Sequence, residues 1–198
     1  TDFKVVNSFE RDGWQGSSAF MYAHCGTHVD EPLHFIKYGE SIEKVPLEKL
    51  VGKSVILDFT LKGPSEAITQ QELEKFNREI RSSRIVVLRT DWTRRNWGKP
   101  DFFESSPYLT KEAAEWLASK KIKAAGYDFV EEYAIRKPKF KPEECVVHTT
   151  LLSHGIYNIE YLTNLHMLTT KKPTLIALPL PLHGLEGAPA RVIAIERD

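Results

Sequence analysis

The sequence predicts an α/β fold organised as a single domain. Three observations carry that expectation. Short β-like runs alternate with amphipathic helical stretches along the chain. The length, 198 residues, suits one domain, or at most two small ones, and is enough for a substantial core. Neither an internal repeat nor a low-complexity linker divides it.

The elements follow in order. A strand is expected over residues 20–25, broken at Gly26-Thr27, with Pro32 preventing a regular ladder beyond it. Residues 54–59, SVILDF, read as a buried strand. Thr69-Gln-Gln-Glu72 is a capping box opening a helix to about Ile80. Residues 84–89 form the next strand. Thr110 caps a helix through Ala113, Ala114, Trp116 and Leu117, and residues 122–127 return as a strand. Residues 146–154 read as a short helix closed by Gly155, with His154 suited to the helix dipole. Residues 174–178 and 191–195 are two final strands. Two long irregular stretches remain, residues 91–107 and 133–144. The first is either a substrate-facing lid with aromatic walls or an Ω-loop packing its own aromatics.

Composition excludes several function classes. Hydrophobic residues make up 41% and charged residues 27%, an ordinary globular mix. With 27 basic and 27 acidic residues the formal net charge is zero, and no basic run suggests nucleic-acid binding. No apolar stretch approaches the ~20 residues of a membrane span. Cys25 and Cys145 read as free thiols in a reducing compartment, and no signal peptide is visible, so a cytoplasmic location is expected. Cys25 would face away from its histidine neighbours on a strand. Cys145, three residues before His148, is a lesser alternative as a thiolate ligand.

The densest chemistry lies in His24-Cys-Gly-Thr-His28-Val-Asp30-Glu-Pro-Leu-His34: three imidazoles and an aspartate within eleven residues. Imidazole and carboxylate are good ligands for Zn²⁺, Mn²⁺ or Fe²⁺. On a straight strand the Cα atoms of His24 and His28 would stand about 13 Å apart. The chain must therefore bend between them, and Gly26 permits that. His148 and Glu160 are distant residues that could complete the site. A carboxylate at a helix start, as Glu160 is read here, is also a routine dipole partner.

The pattern H-x-G-T-H-x-D-x-P-x-H over His24 to His34 resembles the signature of the cyclase family of metal-dependent hydrolases. Arg89-Thr-Asp-Trp92, Ala124-Ala-Gly-Tyr-Asp128, His148 with Gly155-Ile156 and Glu160, and residues 180–189 followed by Arg191-Val-Ile-Ala extend the likeness over nearly the whole chain. The resemblance implies a swivelling β/β/α fold with a central mixed sheet and flanking helices, one further strand ahead of Thr1, and a homodimer or homotetramer. It implies that His24, His28 and Asp30 bind a metal, with His148 and Glu160 completing the site or holding a second ion bridged by Asp30. His34 would be a ligand or the acid/base residue. One departure stands out: after Asp128 many relatives carry a small hydroxyl residue and another aspartate, whereas this chain reads Phe129-Val-Glu-Glu-Tyr133.

The expected activity is hydrolysis of an amide, formamide or lactam C–N bond by metal-activated water, arylformamidase-like, on a small molecule. His34 or Glu160 would move the proton. Zn²⁺ is the expected ion, with Mn²⁺ the alternative, one or two per chain. Trp14, Trp92, Trp97 and Phe129 suit an aromatic or flat substrate, and are also ordinary core and interface material. Two rival readings use the same ligands: a metal-dependent dehydratase or cyclase, and a non-catalytic structural metal-binding module. A structural zinc site is normally closed and cysteine-rich, whereas this cluster is neither.

Overall fold

The computed structural model describes residues 1–196. Its centre is a closed seven-stranded sheet in which parallel and antiparallel pairings meet at two places, and the candidate site forms at one of them. The elements, in chain order, are β1 (Asp2–Asn7), α1 (Phe9–Asp12), β2 (Gly16–Phe20), β3 (His28–Asp30), β4 (Val51–Asp58), β5 (Ala67–Ile68), α2 (Gln70–Glu74), α3 (Asn77–Arg81) and β6 (Ile85–Arg89). They continue with α4 (Trp92–Asn96), β7 (Tyr108–Leu109), α5 (Lys111–Ala118), β8 (Ala124–Tyr127), α6 (Val146–Ser153), β9 (Tyr157–Glu160), β10 (Thr174–Pro179) and β11 (Gly187–Ile195). The closed sheet runs β10-β11-β3-β9-β8-β6-β4. Strands β4, β6, β8 and β9 pair in parallel, and β3, β11 and β10 pair antiparallel.

The parallel strands are apolar on both faces because both faces are covered. On β4 and β6, Val55, Leu57, Val86 and Leu88 pack outward against Leu73, Ile80, Ala113, Leu117 and Leu151 of the helices. The alternate residues Ile56, Ile85 and Val87 turn inward and meet Val29, Ile159, Leu175 and Ala188 inside the closed sheet. The two-residue period of a strand thus divides one apolar run between two cores. Hairpin β1-β2 stands apart from this sheet and exposes Phe3, Val5, Trp14 and Phe20.

Most expected elements form. The capping box at Thr69 is present, with Thr69 and Glu72 exchanging side-chain and backbone bonds, and Thr110 accepts from the Ala113 amide. Gly155, at φ 65°, follows α6, and the His154 ring nitrogen sits 2.7 Å from the Thr150 carbonyl in its last turn. Three expectations need correction. The strand expected over residues 20–25 ends at Phe20, and a turn occupies the stretch before β3. The helix expected to reach Ile80 is two helices, broken at Lys75-Phe76, where the Phe76 ring turns in to pack on Phe59. Glu160 ends a strand; it does not start a helix.

Asp128, just past β8, fastens the loop that follows β6. Its carboxylate accepts from the Thr90 amide (2.7 Å), the Thr90 hydroxyl (2.8 Å) and the Asp91 amide (2.7 Å). The strained entry into α4, where Asp91 holds φ 59°, depends on these bonds. Asp128→Ala is expected to cost about 2–4 kcal/mol, because it orphans buried donors. A urea unfolding series should show this as a lowered midpoint, with Asp128→Asn recovering part of the loss.

Candidate active site at the head of β3

The three-residue strand β3 carries the centre of the site. His28 and Asp30 are two residues apart, so both project from the face opposite Val29, which lies in the inner core. The expected bend falls just before them. Gly26 takes φ 64°, a left-handed conformation that a side chain would strain. The Thr27 hydroxyl donates to the Tyr161 carbonyl at 2.8 Å, which ties the turn to the end of β9. His24 precedes the turn and folds back so that its Nδ1 lies 2.8 Å from Asp30 Oδ1. Pro32 starts a short 3-10 helix, Pro32–His34, that stacks the His34 ring on His24 with centroids 4.1 Å apart.

The other half arrives from the parallel strands. Glu160, at the carboxyl end of β9, pairs in register with His28. His148, on α6, points its Nε2 at Glu160 Oε1 (2.9 Å), Glu131 Oε1 (3.3 Å) and Asp30 Oδ2 (3.5 Å). The site therefore lies at one of the two changes from parallel to antiparallel pairing, outside the carboxyl ends of β8 and β9. Of the sequence-predicted residues, His24, His28, Asp30, His34, His148 and Glu160 all meet here. Their donor atoms form three mutually close groups, each within 4.8 Å: His24, Asp30 and His34; His28, Asp30 and Glu160; and Glu131, His148 and Glu160.

Neighbours aim these side chains. His28 Nδ1 donates to the Gly26 carbonyl at 2.9 Å, which leaves Nε2 directed at Asp30 and Glu160. Glu132 Oε2 accepts from the Val147 amide at 2.9 Å and from the His148 amide at 3.3 Å, capping α6 from outside, and lies 3.4 Å from His148 Nδ1. Gly187 on β11 faces Asp30, and a Cβ there would sit 2.8 Å from His24 Cε1 and 2.9 Å from the Val29 carbonyl oxygen. The absent side chain is what admits the His24 ring.

Burial governs the electrostatics. His28, Asp30, Glu131, His148 and Glu160 are all buried. Burial disfavours the charged His28 imidazole, but Asp30 and Glu160 outweigh it and push the pKa up to about 9. His148 moves the same way, well above the usual range, against its own burial and chiefly through Glu131. Asp30 is held well below the carboxylate range: its burial is overcome by His28, His148 and His24. Burial, with Glu160 alongside, pushes Glu131 well above that range. For His34, burial outweighs the Asp30 carboxylate nearby and pushes the pKa down to about 4, so it is neutral at pH 7.

A cavity of about 390 Å³ opens beside these groups. Its walls include Tyr22, Phe35, Trp97, Phe103 and Phe140. Residues 91–107 supply two of these rings as lid-like walls, while Phe102 in the same stretch is buried and accepts from Trp92 Nε1. Of the four aromatics read as substrate markers, only Trp97 lines the cavity; Trp92 and Phe129 are core, and Trp14 is on the exposed hairpin. Cys25 borders the cavity, because its segment is a turn and not a strand. Cys145 is a free, buried thiol pushed up to about 11 by burial, and it belongs to none of the close donor groups among the described residues. Sequence reasoning assigned no role to Glu131 or Glu132. Their signal was a pair of adjacent acids just beyond an apolar strand end.

The chain is similar to several known proteins. A family model described as putative cyclase matches residues 3–131. A kynurenine formamidase of Bacillus thuringiensis subsp. konkukian is 32% identical over 177 residues, 87% of this chain and 76% of that protein. A solved structure described as a potential metal-dependent hydrolase with cyclase activity matches 99% of this chain and 87% of its own at 28% identity, TM-score 0.75. Isatin hydrolase A from Ralstonia solanacearum matches 98% of this chain and 81% of its own at 25% identity, TM-score 0.80.

Gly187→Ala should force His24 aside or part β11 from β3. The expected cost is about 1–3 kcal/mol, as for overpacking elsewhere. It is read as a lowered unfolding midpoint together with shifted His24 ring resonances in NMR spectra. An unshifted His24 would mean that the close approach is not what places that ring.

Proposed function

The chain belongs to the cyclase family, and on that premise we propose that it is a metal-dependent hydrolase that opens an amide, formamide or lactam C–N bond in a small aromatic substrate. The observation that carries this reading is the fully buried Asp30 Oδ2, which has no hydrogen-bond donor although it lies among imidazoles. A buried carboxylate oxygen left so is costly unless a cation takes it. The donor chemistry fits a divalent ion: imidazole nitrogens and carboxylate oxygens gathered beside an open cavity.

His24, His28, Asp30, His148 and Glu160 would hold the metal. When bound there, a divalent cation supplies Lewis-acid polarisation of a carbonyl and makes water more acidic at neutral pH. The protein's own groups do the rest. Glu132 and the Gly26 carbonyl hold the His148 and His28 rings in place, so that little reorganisation is needed. His34, neutral at pH 7, accepts a proton from the attacking water at its ring nitrogen and returns it to the departing nitrogen. Glu160 is the alternative proton carrier. Tyr22, Phe35, Trp97, Phe103 and Phe140 seat a flat ring and keep bulk water from the reacting carbonyl. The kinship with kynurenine formamidases and an isatin hydrolase favours an N-formyl arylamine or a fused lactam as substrate.

Residues 1–198 act as one catalytic domain in this proposal. We also assign the chain to a homo-oligomer. Phe3, Phe9, Trp14 and Phe20 are each more than half exposed on or beside hairpin β1-β2, an apolar patch of the kind that marks association surfaces. Among the described residues no helix is long and apolar enough to cross a membrane.

His28→Ala should abolish metal retention and turnover together, as measured by elemental analysis and by loss of absorbance from the formamide of kynurenine, isatin and simple aryl formamides. A metal-free, fully active His28→Ala protein would overturn the proposal. His34→Ala should keep its metal and lose about 10²- to 10⁴-fold in kcat. Loss of metal in that variant would instead make His34 a ligand.

A further inference from the structure

Four carboxylates gather beneath the cavity, and only imidazoles answer them. Asp30, Glu131, Glu132 and Glu160 are each at most 4% exposed. Their ion pairs among the described residues are all with His24, His28 and His148, and no lysine or arginine joins them. Arg136 lies on this side, yet its guanidinium donates to the main-chain carbonyls of Glu132, Ser106 and Pro107. Glu132 is engaged by the amides at the head of α6. Glu131 has no hydrogen bond: both of its carboxylate oxygens are buried without one, and its one close ion-pair contact among the described residues is His148 Nε2 at 3.3 Å.

Charge compensation favours a second cation. Metal-binding imidazoles are neutral, so they offset no charge. One divalent ion against four ionised carboxylates leaves two negative charges that only protons on the cluster meet, whereas two ions balance all four. Unpaired buried charge is among the most expensive features a fold can carry. The donors also divide by chemistry. His24 and His28 bring nitrogen to one side of Asp30. Glu131 brings oxygen to the other, where His148 is the one imidazole, and Glu160 reaches both sides, with Oε2 toward His28 and Oε1 toward His148. Asp30 reaches both sides, with Oδ1 toward His24 and His28 and Oδ2 toward His148.

We propose that Glu131 is a metal ligand and that it turns the inner half of this site, with His148, Glu160 and a shared Asp30, into an oxygen-rich position for a second cation harder than the one held by His24 and His28. This rests on the metal-dependent reading above. One nitrogen with three carboxylates suits Mn²⁺ or Mg²⁺, while the imidazole-rich outer position suits Zn²⁺. The two positions therefore differ in preference, and the residue that makes the difference is the glutamate of the Phe129-to-Tyr133 stretch.

The test strips the full-length protein with a chelator and reloads it with Zn²⁺ alone, Mn²⁺ alone, or both. After desalting, ions per chain are counted by mass spectrometry, and Mn²⁺ affinity is measured by calorimetry. Expected are two ions per chain, mixed one to one when both metals are offered. Glu131→Ser and Glu131→Gln should keep the outer Zn²⁺ and bind inner Mn²⁺ at least about 100-fold more weakly, beyond the usual effect of a residue that only orients a ligand. Metal-free melting, read in parallel, should show the isosteric Glu131→Gln near the wild-type Tm, because it fills the same space with no charge to bury; this separates a lost ligand from a lost fold. Variants with wild-type Mn²⁺ content and affinity would overturn the proposal, as would a wild-type protein that never takes more than one ion. A wild-type protein that takes neither metal would overturn the proposed function as well.

Discussion

Asp30 is buried to the last atom, on a strand only three residues long, with His24, His28 and His148 around its carboxylate. A charge in that position is stable only if its surroundings are built to meet it. Most of the local architecture serves that need. Strand β3 is short because the chain must turn sharply before it, to bring His24 back, and again after it, where Pro32 begins the helical turn that carries His34. Its neighbours β9 and β11 contribute Glu160 opposite His28 and a glycine opposite Asp30. The first adds charge to the cluster, and the second gives up a side chain so that a ring can fit.

The closed sheet makes this arrangement sustainable. Parallel strands β4, β6 and β8 are largely buried on both faces and join the two cores. Polar groups collect at their carboxyl ends, where the chain leaves the sheet and main-chain groups are free to bond side chains. Asp128 there grips the loop after β6, and Glu132 caps the helix that presents His148. One loop thus supports both the aromatic wall and the His148 side of the cluster. Side chains that touch no substrate nonetheless decide whether the reacting groups are aligned, since rings held by a second bond lose little freedom on working.

The cavity joins two environments of opposite character. Its floor is charged and sealed, while its rim is aromatic and partly open, with Trp97 and Phe103 about half exposed. That contrast suits a substrate with a polar, hydrolysable group at one end and a flat apolar body at the other. Compensation of the floor's charge by cations would also draw the substrate carbonyl inward, where low polarisability of the surroundings strengthens every electrostatic contact.

Much of this was written in local patterns. The strands at β4, β6 and β8, the caps at Thr69 and Thr110, and the glycine at the bend are set by near neighbours along the chain, and physical reasoning reads them directly. The imidazole and aspartate spacing from His24 to His34 likewise pointed to the site, because packing alone does not gather so many ligating side chains into so short a window. The places where local reading failed have a common cause. Phe76 breaks a helix because Phe59, far away in sequence, offers its ring a better contact than another helical turn. Glu160 reads as a helix-start carboxylate until strand pairing sets it opposite His28. Glu131 and Glu132 carry no motif at all; their meaning arises only when β8, β9 and α6 converge. Residue type and short-range spacing are properties of the chain alone, whereas burial and charge compensation depend on which distant segments meet, and that was decided only by closure of the sheet.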